Sequence, residues 1–206
     1  MNDILVITVN YKNTAITENF VRSLEILDQS DRVKLVVVDS ESTNETKEKL
    51  QLLLQSSSLK TLLIDSTSNT FYWGGVALAL HTLDLNYVNG PTWIIACNND
   101  ILFPQKEIFS KLKDLDSTKY HVIAPSILST KTGENLNPYM AKPINVIGKL
   151  YYLIFYLNPI TARLIYNIRK MSKKLFYSMF KKSVPKPGKI YAPQGSFVIF
   201  SNNYFL

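Results

Sequence analysis

The chain has 206 residues, 46% hydrophobic and 19% charged, which is enough apolar material for a packed core and excludes a disordered chain. The formal charge of +7 is regional: residues 1–134 carry 12 Lys and Arg against all 16 Asp and Glu, whereas residues 135–206 carry 11 Lys and Arg and no acid. A single cysteine, Cys97, excludes an internal disulfide and a cysteine-based zinc site, and it fits a reducing compartment.

Met1-Asn2-Asp3 has an acid where an export signal carries positive charge, so no export signal is expected. Ile4 to Val9 is a β-branched apolar run, the pattern of a strand buried on both faces, and Asn10-Tyr11-Lys12-Asn13 ends it. Ile16, Phe20, Leu24 and Leu27 recur at helical spacing and predict a helix capped by Thr14 or Thr17. Leu35 to Val38 reads as a second buried strand that stops at the polar run Asp39 to Asn44. A helix over Glu45 to Leu54, a third strand at Leu62 to Ile64 and a polar stretch from Asp65 to Thr70 follow. Phe71-Tyr72-Trp73-Gly74-Gly75 then opens a helix that runs to about Leu83, and Trp93 to Ala96 is a fourth strand ending in Cys97-Asn98-Asn99-Asp100.

Strands and helices alternate, which predicts an α/β fold with a mainly parallel sheet and helices on both faces. In open sheets of this kind ligands collect at the carboxyl ends of the strands, so Asn10, Asp39, Asn69 and Asn98 to Asp100 should share one crevice. The plainer alternative is that these residues are simply good turn formers.

Residues 142–189 hold all 11 positive charges of the last third together with eight aromatic residues. Pro159 is expected to divide the segment into two helices. Leu150, Leu153, Ile154, Leu157, Leu164, Ile165, Ile168, Met171, Leu175 and Met179 form an apolar stripe flanked by Arg163, Arg169, Lys170, Lys173, Lys174, Lys181 and Lys182. Such helices suit an anionic membrane interface, or else a hairpin packed on the sheet or forming a dimer contact. No run reaches the ~18 apolar residues of a membrane span, and Leu150 to Leu157 is the strongest candidate.

The chemistry concentrates at Asn98-Asn99-Asp100. A hard cation such as Mg²⁺ or Mn²⁺ takes oxygen ligands, and one carboxylate with a diphosphate and water can complete its octahedron. Asp100 is the expected ligand, with an N-cap as the alternative role. No G-x-x-x-x-G-K-[ST] and no G-x-G-x-x-G occurs, which excludes the common phosphate-loop and dinucleotide schemes. No G-x-S-x-G occurs either, and with His81 and His121 as the only histidines a Ser-His-Asp hydrolase has little support. His81 is expected to be structural.

The series Ile7-Thr8-Val9-Asn10-Tyr11, Val36-Val37-Val38-Asp39 with Ser42, Asn69 before Trp73-Gly74-Gly75, Asn98-Asn99-Asp100, and Gln194-Gly195-Ser196-Phe197 resembles the family 2 glycosyltransferases of the GT-A fold. More narrowly, it resembles the bacterial rhamnosyltransferase-like branch that builds surface polysaccharides. The resemblance implies one GT-A domain over 1–206, with a nucleotide-sugar half over 1–100. The acceptor half would begin in 101–141 and 190–206, and 142–189 would be an insertion. It implies that Asn10, Tyr11 and Asp39 surround the base and ribose of a nucleoside-diphosphate sugar, UDP- or dTDP-linked, and that Asn98 belongs to the same site. Asn69, Gly74 and Gly75 would let backbone approach the donor. Trp73 would be a wall for a sugar ring or a core aromatic. Asn98-Asn99-Asp100 stands at the family's Asp-x-Asp motif, with Asn in its first position. Gln194, Gly195 and Ser196 would lie on the acceptor side.

The implied reaction is transfer of a sugar, with inversion, to a hydroxyl of a glycan or lipid-linked acceptor; docking through residues 142–189 would place this cytoplasmic protein at the inner face of the cell membrane. The implied general base is an acid past the Gly-Ser strand, and this sequence has no Asp or Glu after Glu134. The base is therefore expected beyond Leu206, in a chain truncated or naturally shortened that binds donor and turns over poorly. A non-catalytic nucleotide-sugar-binding or assembly module is the alternative. Nucleic acid is not an expected partner, since it would leave the acids and amides at the strand ends without a purpose.

Overall fold

The computed structural model describes residues 3–83, 90–179 and 188–205, and of residues 169 and 171–179 the backbone alone. β1 (Ile4–Asn10), β2 (Val33–Ser40), β3 (Lys60–Ser66) and β4 (Trp93–Cys97) are parallel. β5 (Val122–Ile123) and β6 (Phe197–Ser201) are antiparallel, β6 against β4 and β5 against β6. The sheet order is β3-β2-β1-β4-β6-β5, so the chain reverses its winding direction between β1 and β4. That reversal opens a crevice at the carboxyl ends of the strands.

Alternation along each strand divides the apolar residues between two cores, because successive side chains point to opposite faces. Ile4, Val6, Leu35, Val37, Trp93 and Ile95 pack with Phe20, Val21 and Leu24 of α1 (Thr14–Glu25), with Leu50 and Leu54 of α2 (Asn44–Gln55), and with Phe109 and Leu112 of α4 (Ile108–Lys113). Leu5, Ile7, Val36, Val38, Ile94 and Ala96 pack with Val76 and Ala79 of α3 (Phe71–Leu83). Each large side chain so buried contributes roughly 1.5–3 kcal/mol.

Two expectations shift in detail. α1 is capped by Asn13, whose Oδ1 accepts from the Ile16 amide at 3.3 Å, rather than by Thr14 or Thr17. The buried stripe then begins at Thr17 and continues through Phe20, Val21 and Leu24, while Ile16 faces solvent. The third strand extends to seven residues because it pairs with β2 along its whole length.

By internal contacts the chain divides into two compact units, residues 1–127 with 194–206, and residues 128–193. The second unit contains α5 (Val146–Phe155) and α6 (Pro159–Met179), separated as expected just before Pro159. Asn145 caps α5 through the Gly148 amide at 2.8 Å, and Asn158 caps α6 through the amides of Ile160 and Thr161 at 2.9 Å. Lys181 and Lys182 lie outside the described residues, as do the side chains of Arg169, Met171, Lys173, Lys174, Leu175 and Met179.

Gly75 allows α3 to approach β1, since a Cβ there would lie 2.6 Å from Val9 Cγ2. At Gly74 the nearest atom to a Cβ would be Thr70 Cβ, at an ordinary 3.5 Å. Gly75→Ala is expected to cost about 1–3 kcal/mol in urea denaturation through overpacking. Gly74→Ala should leave the midpoint unchanged or slightly raised.

Candidate functional site

β1 and β2 pair in a register that sets Asn10 beside Asp39 at the carboxyl edge of the sheet. Both are fully buried, and Asn10 Nδ2 donates to Asp39 Oδ1 at 2.8 Å. Ser42 Oγ donates to the same oxygen at 2.5 Å. Thr17, on the first turns of α1, donates to Asn10 Oδ1 at 2.7 Å and accepts from Asn99 Nδ2 at 2.9 Å. A continuous hydrogen-bonded chain, Asn99–Thr17–Asn10–Asp39–Ser42, thus runs from the end of β4 across β1 to the end of β2.

Among the described residues, Asp39 Oδ2 is buried and has no hydrogen-bond partner. A buried carboxylate oxygen without a donor is costly and rare, and this one has an acceptor position open to a further hydrogen bond. Just beyond, Lys12 and Glu41 form an ion pair at 3.5 Å that joins the β1–α1 and β2–α2 loops. Lys12 Nζ also lies 4.7 Å from the centroid of the half-exposed Tyr11 ring. Tyr11 first, and Glu41 after it, raise the Lys12 pKa above its ordinary value. Lys12, Glu41 and Phe71 adopt φ of 57°, 54° and 54°, so left-handed backbone recurs after β1, after β2 and at the start of α3. For non-glycine residues that conformation costs roughly 1–2 kcal/mol each, and such strain gathers at functional sites.

Asn98 and Asn99 are half-buried and Asp100 is exposed. The Asn98 amide donates to the Ser196 carbonyl at 2.9 Å, which brings the loop after β4 against the entry to β6. Gln194 Oε1 accepts from both the amide and the hydroxyl of Ser196 at 2.5 Å and fixes that turn. Trp73 is 47% exposed, which removes it from the core. A Cβ on Gly195 would lie 3.2 Å from Trp73 Nε1, so the indole lies close against the glycine backbone. Asn69 Oδ1 accepts from the Phe71 amide at 2.9 Å, a local turn that starts α3, and Gly75 is occupied in packing on Val9. His81 is exposed on the last part of α3.

Burial pushes the Cys97 thiol and the Tyr72 hydroxyl far above their ordinary ranges, so neither supplies a nucleophile near neutral pH. Among the described residues no three His, Cys, Asp or Glu gather to enclose a metal ion. After β4 the chain offers an exposed carboxylate, Asp100, beside the amides of Asn98 and Asn99. That donor set fits Mg²⁺ or Mn²⁺ held by a carboxylate and by the phosphates of a ligand, and it does not fit an all-protein cage.

Residues 3–180 match the family described as glycosyl transferase family 2. The chain belongs to glycosyl transferase family 2. Among solved structures this family 2 chain resembles the mannosyltransferase PcManGT from Pyrobaculum calidifontis in complex with GDP-Man and Mn²⁺. The match has 18% identity and a TM-score of 0.53, and covers 63% of this chain and 36% of that one. It also resembles residues 1–349 of TarS from S. aureus, with 18% identity, a TM-score of 0.53, and coverage of 68% and 40%. TarS 1–349 in complex with UDP-GlcNAc matches with 19% identity, a TM-score of 0.51, and coverage of 68% and 38%. No curated protein matches the sequence. At these identities the likeness is one of fold, and the fold is GT-A. The family 2 chain spans less than half the length of these solved relatives.

Sequence reading treated Thr17 only as a possible cap, and it missed Lys12. The available signal for Thr17 was a hydroxyl residue three, four and seven positions before Phe20, Val21 and Leu24, within the buried stripe of a helix. Thr17→Val keeps the shape and removes both hydrogen bonds, leaving Asn10 Oδ1 buried and unpaired. It is expected to destabilise the chain by about 1–3 kcal/mol in denaturant titration. Thr17→Ser should restore most of the loss.

Proposed function

We propose that this chain binds a nucleoside-diphosphate sugar and transfers the sugar, with inversion, to a hydroxyl of a glycan or lipid-linked acceptor. The wider reading is a hexosyl- or rhamnosyltransferase of bacterial surface-polysaccharide synthesis, working in the cytoplasm at the inner face of the cell membrane. The observation that carries the proposal is the buried, unpartnered Oδ2 of Asp39, tied by hydrogen bonds to the loop that bears Asp100. A ribose hydroxyl or a base N–H is the kind of donor Oδ2 lacks. The half-exposed Tyr11 ring at that rim offers a face on which a nucleobase can stack, and the nucleotide we propose is UDP or dTDP.

Asp100 would hold Mg²⁺ or Mn²⁺, with Asn98 and Asn99 alongside; a bound cation of this kind supplies charge neutralisation for a departing diphosphate. That PcManGT is described in complex with GDP-Man and Mn²⁺, and TarS with UDP-GlcNAc, supports this reading. Trp73, Gly195 and Ser196 would border the transferred sugar and the acceptor. One second reading is a non-catalytic nucleotide-sugar-binding or assembly module of the same fold. A thermal-shift panel of nucleoside-diphosphate sugars with and without Mn²⁺ tests the proposal, because a ligand selective for the folded state raises its apparent stability. A rise with UDP- or dTDP-sugars that grows with Mn²⁺ is expected, and no response to any of them would overturn it. Sugar transfer by the responding chain would exclude the module.

A further inference from the structure

α5 and α6 pack on one another, and their half-buried residues include Tyr151 and Phe155 on α5 and Ala162 and Ile165 on α6, which mark the seam side of each helix. No residue of α5 is fully buried. Away from the seam, Val146, Ile147, Leu150, Leu153, Ile154 and Leu157 follow one another at steps of one and three residues, which keeps them on one face of α5 and its following turn. Ile160, Leu164 and Ile168 do the same on α6 at steps of four. All nine are exposed, Val146 to 80% and Ile160 to 81%. An apolar stripe this continuous on a chain surface marks an interaction site.

The flank of each stripe repeats one pattern. Lys149, Tyr152 and Tyr156 on α5 and its C-cap, and Arg163, Tyr166 and Lys170 on α6, stand at i, i+3 and i+7, and all six are exposed. Cations beside tyrosines, bordering an apolar face, match the headgroup layer of a bilayer: the tyrosines seat at the boundary and the cations meet anionic phosphates. No helix among the described residues is long and apolar enough to cross a membrane. The absence of any acid from residues 135–206 opposes pairing of this face with a second copy of itself, which would set like charges together. A nucleic acid would engage the cations and leave the apolar stripe without a use.

We infer that the outward face of α5 and α6 docks on an anionic phospholipid bilayer, with the apolar stripe among the acyl chains and Lys149, Arg163 and Lys170 at the headgroups. This deepens the proposed function by locating where its acceptor is met, and its test is independent of donor binding.

Sedimentation of the full chain with phosphatidylcholine vesicles, with and without phosphatidylglycerol, decides it. Binding to phosphatidylglycerol vesicles is expected to exceed binding to phosphatidylcholine alone by about tenfold or more, and to fall with salt. The double substitution Leu153→Gln with Ile160→Gln should lower binding by about tenfold or more. Arg163→Gln with Lys170→Gln should remove most of the preference for phosphatidylglycerol. Leu52→Gln, at an exposed leucine of α2, should change nothing. Because the lipid and salt comparisons use the native chain, a variant that fails to fold leaves the test intact. Absence of binding at low salt, equal binding to both vesicles, tighter binding to an RNA or DNA oligonucleotide, or a dimer abolished by the leucine–isoleucine pair of substitutions would each overturn the inference. A chain that binds vesicles but no nucleoside-diphosphate sugar would refute the proposed function and leave this inference standing.

Discussion

Asp39→Asn is expected to weaken binding of a nucleoside-diphosphate sugar by about ten- to a hundredfold, or about 1.4–2.8 kcal/mol, while the fold remains. The substitution keeps an oxygen where Oδ1 accepts from Asn10 and Ser42, so the local network survives. It replaces the unpartnered Oδ2 with an NH₂ group, which presents a donor to the ligand's donor. Asp39→Ala behaves differently, because it also takes the shared acceptor from the Ser42 hydroxyl and from the Asn10 amide, whose other contact is a long one of 3.5 Å to Ser42 Oγ. That variant should lose stability as well as affinity, by about 1–3 kcal/mol for the unpaired buried groups. Calorimetric titration with UDP- and dTDP-sugars, read beside a denaturation curve, separates the two effects. Equal affinity in the native chain and Asp39→Asn would remove Asp39 from the donor site.

Asp100→Ala is expected to abolish the Mn²⁺ dependence of donor binding and to lower affinity in saturating Mn²⁺ by about a hundredfold, the scale of a lost charge-assisted contact. The exposed side chain carries no packing, so stability should stay within about 0.5 kcal/mol of the native chain. Asp100→Glu should retain part of the Mn²⁺ response. The same titration with and without Mn²⁺ measures this, and an unchanged Mn²⁺ response in Asp100→Ala would assign the cation to other residues.

Much of the first hundred residues was legible because a strand buried on both faces writes itself as a largely apolar run, as in Ile4–Val9, broken only by Thr8, and Val36–Val38. The polar residue that ends such a run then lies at the carboxyl edge by construction, which is why Asn10 and Asp39 could be set side by side before any coordinates. Thr17 and Asn99 were not legible in the same way. Their hydrogen bond joins residues 82 apart in sequence, and only the placement of α1 over the end of β1 makes it. The link between Asn98 and Ser196 has the same origin, in the antiparallel pairing of β6 with β4. Gly75 illustrates a different limit. A glycine after Trp73 has one appearance whether its missing Cβ makes room for a ligand or for Val9, and at Gly75 it is Val9 that fills the space. In the second unit the break before Pro159 was readable from proline chemistry alone, whereas the division of each helix into seam, apolar stripe and basic flank required the pairing of α5 with α6.

The account rests on a single crevice in which Asp39 and Asp100 act on one ligand. A crystal structure of the chain with UDP and Mn²⁺, using the anomalous signal of manganese, tests that directly. The account predicts a manganese peak at the Asp100 carboxylate, bridged by the diphosphate to a nucleoside that donates to Asp39 Oδ2. A nucleotide or a manganese peak lodged elsewhere on the chain, with the ends of β1, β2 and β4 unchanged, would contradict it.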